Sequence, residues 1–275
     1  MSDPATAQTL TERIVRREQL LVGLGLAGLT LLAWLYVLLG AGTGMSTLAM
    51  STWQFPPPKP AMSMAGDWNA AYWLTMLVMW WVMMIAMMIP SATPMILLYA
   101  RVYRHGQTRG QISGSTVVPT ATFAAGYLAC WLAFSVLATV LQFALERAGL
   151  VHGMLMWSTD RWLTAGLLIA AGLFQLSPLK ATCLAHCRRP AEFLSRHWRA
   201  GRLGAFRLGI VHGAYCLGCC WALMLLLFAA GIMNLVWIAG LAVLVLIEKL
   251  APFGARLSPA IAAALIAAGL YVAVT

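Results

Sequence analysis

Long apolar runs separated by short polar segments dominate the pattern along the chain. They cover Leu20 to Ala41, Ala71 to Tyr99, Val117 to Leu145, Trp162 to Leu179, Phe206 to Ile232, Leu235 to Leu250 and Leu257 to Thr275. Most are near or above the roughly 20 residues that carry a helix across a bilayer. The pattern predicts an all-α, polytopic transmembrane helical bundle of about seven spans. The sixth and seventh runs are short, so six spans or a re-entrant segment fits as well. Residues 1–19 read as a cytoplasmic N-terminal segment and residues 20–275 as a single transmembrane helical domain, with no internal repeat.

Composition agrees: 61% of the residues are hydrophobic, 9% are charged and the mean hydropathy is +0.82, far from the average for soluble domains. The net charge of +10 would suggest nucleic acid if the basic residues were scattered, but they follow topology. With the N-terminus inside and seven crossings, fifteen of the 18 Lys and Arg residues fall in inside segments. Lys59, Arg147 and Arg161 are left outside, which is the positive-inside bias of a membrane protein. The expected partner is therefore the lipid bilayer and not nucleic acid. The basic segment from Arg188 to Arg207 can in addition touch anionic headgroups. A first span of about 22 residues is too long for a cleaved signal peptide. Together these features suit a multi-pass protein of the bacterial inner (cytoplasmic) membrane. None of the six cysteines falls in an outside loop, so structural disulfides are not expected.

Polar and soft side chains interrupt the apolar pattern at four places. In the first outside loop, Gly42 to Ala70, a proline run from Pro56 to Pro60 predicts extended chain. Met45, Met50, Met62 and Met64 around it read as lipid-facing anchors or as a loose copper-collecting patch. The second run carries Met76, Met79, Met83 and Met87 on one helical face and Met84, Met88 and Met95 on a neighbouring one. Methionine is a flexible core filler and also a soft ligand, so both readings stand. Pro90 and Pro94 close that run, and they are tolerated at membrane depth only where protein or a wet cavity satisfies the backbone.

The other two interruptions carry cysteine. Cys183 and Cys187 lie one turn apart, with His186 between them. His212, Cys216, Cys220 and Met224 form a ladder of i+4 steps, flanked by Cys219. Thiolate, thioether and neutral imidazole favour soft or borderline ions such as Cu(I) and, as second choice, Zn(II). Packing alone explains one buried cysteine but not three within five residues. Cys130, isolated beside Trp131, reads as packing. Gly213 and Gly218 are expected to bring the thiol face against the second and fourth spans.

Other chemistry is thinly represented. Glu248 and Lys249 are expected to pair with each other at the inner end of the sixth run, and Glu146 to lie in an outside segment. No mid-membrane carboxylate of a proton-coupled transporter is evident. No nucleotide-binding glycine loop or hydrolytic triad is recognisable, and an enzyme is not expected.

Three segments together, Met83-Met84-Ile-Ala-Met87-Met88-Ile-Pro90, Ser177-Pro178-Leu-Lys180 through Cys183 to Cys187-Arg188, and His212-Gly-Ala-Tyr-Cys216-Leu-Gly-Cys219-Cys220-Trp221, resemble a bacterial family. It is that of predicted metal-binding integral membrane proteins, which includes a membrane copper chaperone encoded beside a melanin-forming tyrosinase. The resemblance covers roughly residues 70 to 250. It implies copper handling, with delivery to a cuproenzyme or a second copper-handling protein. It also implies ligand roles for Cys183, Cys187, His212, Cys216, Cys219 and Cys220, with Met83, Met84, Met87 and Met88 as secondary candidates. The expected function is a Cu(I) chaperone or transporter working by thiolate and thioether ligand exchange. Its rival is a membrane thiol-disulfide oxidoreductase using Cys216, Cys219 and Cys220.

Overall fold

The computed structural model describes residues 4–57, 67–108, 116–199 and 201–275. Lys59, Met62, Met64 and Arg109 lie outside the described residues. The architecture is helical: α1 Pro4–Leu38, α2 Ala70–Thr108, α3 Val117–Arg147, α4 Arg161–Gln175, α5 Pro178–Arg188, α6 Pro190–His197, α7 Gly201–Ala230, α8 Leu235–Leu250 and α9 Ser258–Val274, with a 3₁₀ turn at Gly254–Leu257. Among the described residues, five helical segments are long and apolar enough to cross a membrane, or six if the bent pair α4 and α5 counts as one, so seven spans are not confirmed. The difference lies in two places. At 16 residues α8 is only about 24 Å long at ~1.5 Å per residue. The fourth run does not continue to Leu179, because α4 and α5 meet at 63°.

That bend follows from Ser177-Pro178. Proline has no amide hydrogen and disfavours helical dihedrals in the residue before it. Ser177 is accordingly extended at ψ 143°, and its side chain accepts the amide of Lys180 to cap α5. Asp160 caps α4 through Leu163 and Asn234 caps α8 through Val236, as short polar residues do at helix starts.

Helices α2 and α7 form the centre. In their most apolar windows 56% and 67% of residues are buried, against 17% in α1 and 22% in the segment containing α9. The outer pair expose Leu24, Leu31, Leu32 and Leu270. In water such an apolar exterior would be unstable, and it is compatible with a lipid surround. Small residues make the seam between α3 and α7. A Cβ on Gly209 would collide with the Phe123 carbonyl, and one on Gly213 would lie 2.7 Å from the Cys130 Cβ. This is the close approach that a Gly-xxx-Gly spacing permits. Gly213 thus faces α3, not the second or fourth span as its sequence context suggested, and Cys130 packs against it. Gly218 does meet the fourth-span side, where Cys183 sits against it.

The segment after α1 folds over the end of α8. Ser51 Oγ accepts the Leu235 amide at 2.9 Å, the Thr52 carbonyl accepts Asn234 Nδ2 at 3.0 Å, and Phe55 packs on Trp237. From there α8 runs back to Ser91 of α2, where Lys249 makes contact. Met50 is buried under this loop.

Two carboxylates near helix ends are buried. Glu146, at the end of α3, accepts Trp68 Nε1 and Gln142 Nε2, both at 2.9 Å. Glu248 is 2% exposed and pairs with Lys180 at 2.7 and 2.8 Å, supported by Ser258 and Gln175. Glu248 therefore does not pair with Lys249. Adjacent residues on a helix point in different directions, and partners are found three or four positions away or on another element.

Candidate metal centre

The thiol face of α7 is enclosed by α2, α3, α5 and α8. Cys216, Cys219 and Cys220 are each about 2% exposed or less. Their helical spacing keeps them together: the thiols of Cys219 and Cys220 both donate to the Cys216 carbonyl at 3.0 Å. From there the three sulfurs reach different neighbours.

Cys220 turns to α2, where its sulfur lies 4.0 Å from the Met88 thioether. Met83, Met84 and Met87 are buried in the core on the same helix, and the contact to the thiols is carried by Met88. Its carbonyl receives the Ser91 hydroxyl at 2.9 Å and lies 3.4 Å from Tyr127 Oη. This fixes the backbone just before Pro90. Cys219 turns to α5, where its thiol interacts with that of Cys187. Cys183 packs by its sulfur against Gly218, one residue before Cys219. The Cys183 to Cys187 pair and the α7 thiols are thereby brought onto one buried interface.

Cys216 has the most polar surroundings. Lys249 Nζ donates to its sulfur at 2.9 Å and to Ser91 Oγ at 3.3 Å, while Tyr127 Oη lies 3.0 Å from the same sulfur. Lys249 is 6% exposed. An ammonium at that distance is the electrostatic complement of a thiolate. The sequence reading missed Lys249, Tyr127 and Ser91. The legible signal for Lys249 was its place at i+1 from Glu248, a spacing that precludes a shared face.

His212 lies one turn before Cys216, stacked against Phe123 and Tyr127 of α3 and approached edge-on by Phe193 of α6. Its Nδ1 is buried and makes no hydrogen bond, an exception among buried polar groups that calls for a reason. A soft-metal ligand role is one such reason, since it uses the imidazole lone pair. His186 behaves differently: it stacks on Tyr215 at 4.2 Å, and its Nδ1 lies 2.9 Å from the Thr182 carbonyl.

Among the described residues no group of three or more His, Cys, Asp or Glu side chains forms a ready-made cage. The donors form a chain of contacts: Cys187 with Cys219, Cys219 and Cys220 on the Cys216 carbonyl, and Cys220 with Met88. All six cysteines are free. No curated protein and no solved structure matches this chain. The PpoB2 family model, described as copper chaperone, matches residues 77–272, a segment that runs from the methionine-rich part of α2 through both cysteine clusters to α9; the chain belongs to this copper chaperone family.

Proposed function

We propose that the protein holds Cu(I) inside the membrane on the thiols of α7 and hands it on by ligand exchange. Cys216, Cys219 and Cys220 form the tight site, with His212 as a nitrogen donor. Met88 is the first thioether of a weaker path along α2 that includes Met83, Met84 and Met87. Cys183 and Cys187 are the thiols that receive or release the ion at the basic end of the bundle. The recipient is a cuproenzyme or a second copper-handling protein, and the setting is a bacterial inner membrane with the basic segments inside. The observation that carries this reading is the Cys220 to Met88 contact of 4.0 Å, which joins the α7 thiols to the α2 methionines. Soft sulfur donors select Cu(I), and successive low-coordinate sulfur sites let it move by exchange. Binding releases thiol protons, so apparent affinity rises with pH until the thiols are ionised.

The test is anaerobic purification in detergent, loading with Cu(I) or Zn(II), and quantification of bound metal by mass spectrometry. Near-stoichiometric Cu(I) is expected in the wild type and its loss in a Cys216/Cys219/Cys220→Ser variant. Retention of Cu(I) by that variant would move the site elsewhere.

One observation favours the oxidoreductase as a second reading. Cys187 and Cys219, on different helices, are adjacent. Closing them into a disulfide would release two protons and two electrons to an acceptor such as a quinone. A reversible thiol couple that needs no metal, in a protein that retains none, would select this reading.

A further inference from the structure

We propose that Lys249 is the charge-selecting residue of the thiol site. It is a fixed ammonium that makes the buried cluster prefer a monovalent soft ion to a divalent one. This rests on the copper-binding reading above.

Lys249 is buried, and a buried ammonium is heavily penalised unless negative charge lies beside it. Its ammonium hydrogen-bonds to Ser91 of α2 and Cys216 of α7, and Tyr127 Oη of α3 lies 3.0 Å from the same sulfur. Among the described residues it forms no ion pair with a carboxylate. Its chain neighbour Glu248 is engaged by Lys180. The negative charge that the geometry offers this ammonium is a thiolate, with Cys216 Sγ at 2.9 Å.

The consequence is electrostatic. Any ion bound at Cys216 lies within several ångströms of Lys249, and the repulsion it feels scales with its own charge. A divalent ion pays this twice and a monovalent ion once. Both draw on the same thiolates, so the attraction Lys249 lends to those thiolates cancels in the comparison. Over a separation of about 6 Å at an effective dielectric constant of about 20, the extra charge costs on the order of tenfold to a hundredfold in affinity. Ligand softness alone leaves Zn(II) as a competitor on thiols; Lys249 supplies the discrimination that softness lacks.

The experiment compares wild type with K249Q, K249R and Ser91→Asp in detergent without oxygen. Affinities for Cu(I), for Ag(I) as a redox-inert monovalent probe, and for Zn(II) are read by competition with chelators. K249Q keeps a hydrogen-bond donor and removes the charge; K249R keeps the charge. Ser91→Asp puts a carboxylate beside the ammonium and serves as an independent neutralisation should K249Q fail to fold. The Zn(II) to Ag(I) affinity ratio is expected to rise tenfold or more in K249Q and in Ser91→Asp, and to stay within about threefold of wild type in K249R. An unchanged ratio in the neutralised variants, with wild type still binding Cu(I), overturns the role of Lys249 and leaves the metal site standing. An equal rise in K249R overturns it too, because position and not charge would then matter. A wild type that binds neither Cu(I) nor Ag(I) overturns the copper-binding reading itself.

Discussion

Two buried lysines approach the thiol interface from the basic end of the bundle, and their surroundings differ. Lys180, 1% exposed, donates to both oxygens of Glu248 and to Gln175 Oε1, and Ser258 donates to the same carboxylate. Lys249, at the next position after Glu248, has a sulfur and a hydroxyl instead. The first is a closed ion pair between hard groups, with its remaining hydrogen-bonding capacity filled. The second faces a soft, polarisable group that can also bind metal. On the proposed function, a buried charge marks structure where a carboxylate completes it and chemistry where only a thiol does. The partner decides, not the burial.

Removing one half of the closed pair should have the largest effect. Glu248→Ala leaves Lys180 buried and uncompensated, and the expected loss is about 3–5 kcal/mol of stability, seen as a lowered melting temperature in detergent. A double Lys180→Met, Glu248→Met variant should recover most of that loss, because an apolar pair of similar volume carries no desolvation penalty. If the double variant melts no higher than the single one, the pair has a role beyond mutual neutralisation, and the contrast with Lys249 weakens.

The open site responds in binding before it responds in stability. Serine at Cys216, Cys219 and Cys220 should abolish Cu(I) retention, and charge removal at Lys249 should alter ion preference. Ser91→Ala is a finer test. It deletes one acceptor of Lys249 and one donor to the Met88 carbonyl, at an expected cost of about 1 kcal/mol. The charge remains, so the Zn(II) to Ag(I) ratio should hold. The smallest effect belongs to the exposed pair of Glu192 and Arg196 at 2.7 Å. Glu192→Ala should cost no more than about 0.5 kcal/mol, and salt should erase it. A larger loss there would mean that α6 is held over His212 by charge and not by the buried Phe193 and Leu194.

Several elements were readable from local pattern alone. The 3.6-residue repeat put Cys216 and Cys220 on one face of α7, whereas the break at Ser177-Pro178 was passed over because the apolar run continues to Leu179. The loop from Gly42 was harder to foresee: its docking on Asn234 and Trp237 depends on partners some 180 positions away. The Met88 contact was half-legible. Sequence marked the methionine column, but all its members look alike until α7 crosses α2 and brings Cys220 to one of them. The partner of Glu248 was misread for the same reason, since a local reading offers it the neighbouring Lys249 and cannot see Lys180, 68 positions away.

What the sequence determined by itself is the helical, apolar character of the chain, the positions of its soft donors and their faces on each helix, because these depend on residue type and on spacing of up to four positions. What only the tertiary structure decided is which donors meet: Cys187 with Cys219, Cys220 with Met88, and Lys249 with Cys216 in place of Glu248. Those pairings join residues 32 to 132 positions apart, set by glycine seams and a proline bend that fix how close and at what angle the helices cross. Local periodicity determines a direction from each helix, and a second helix is needed to say what stands there.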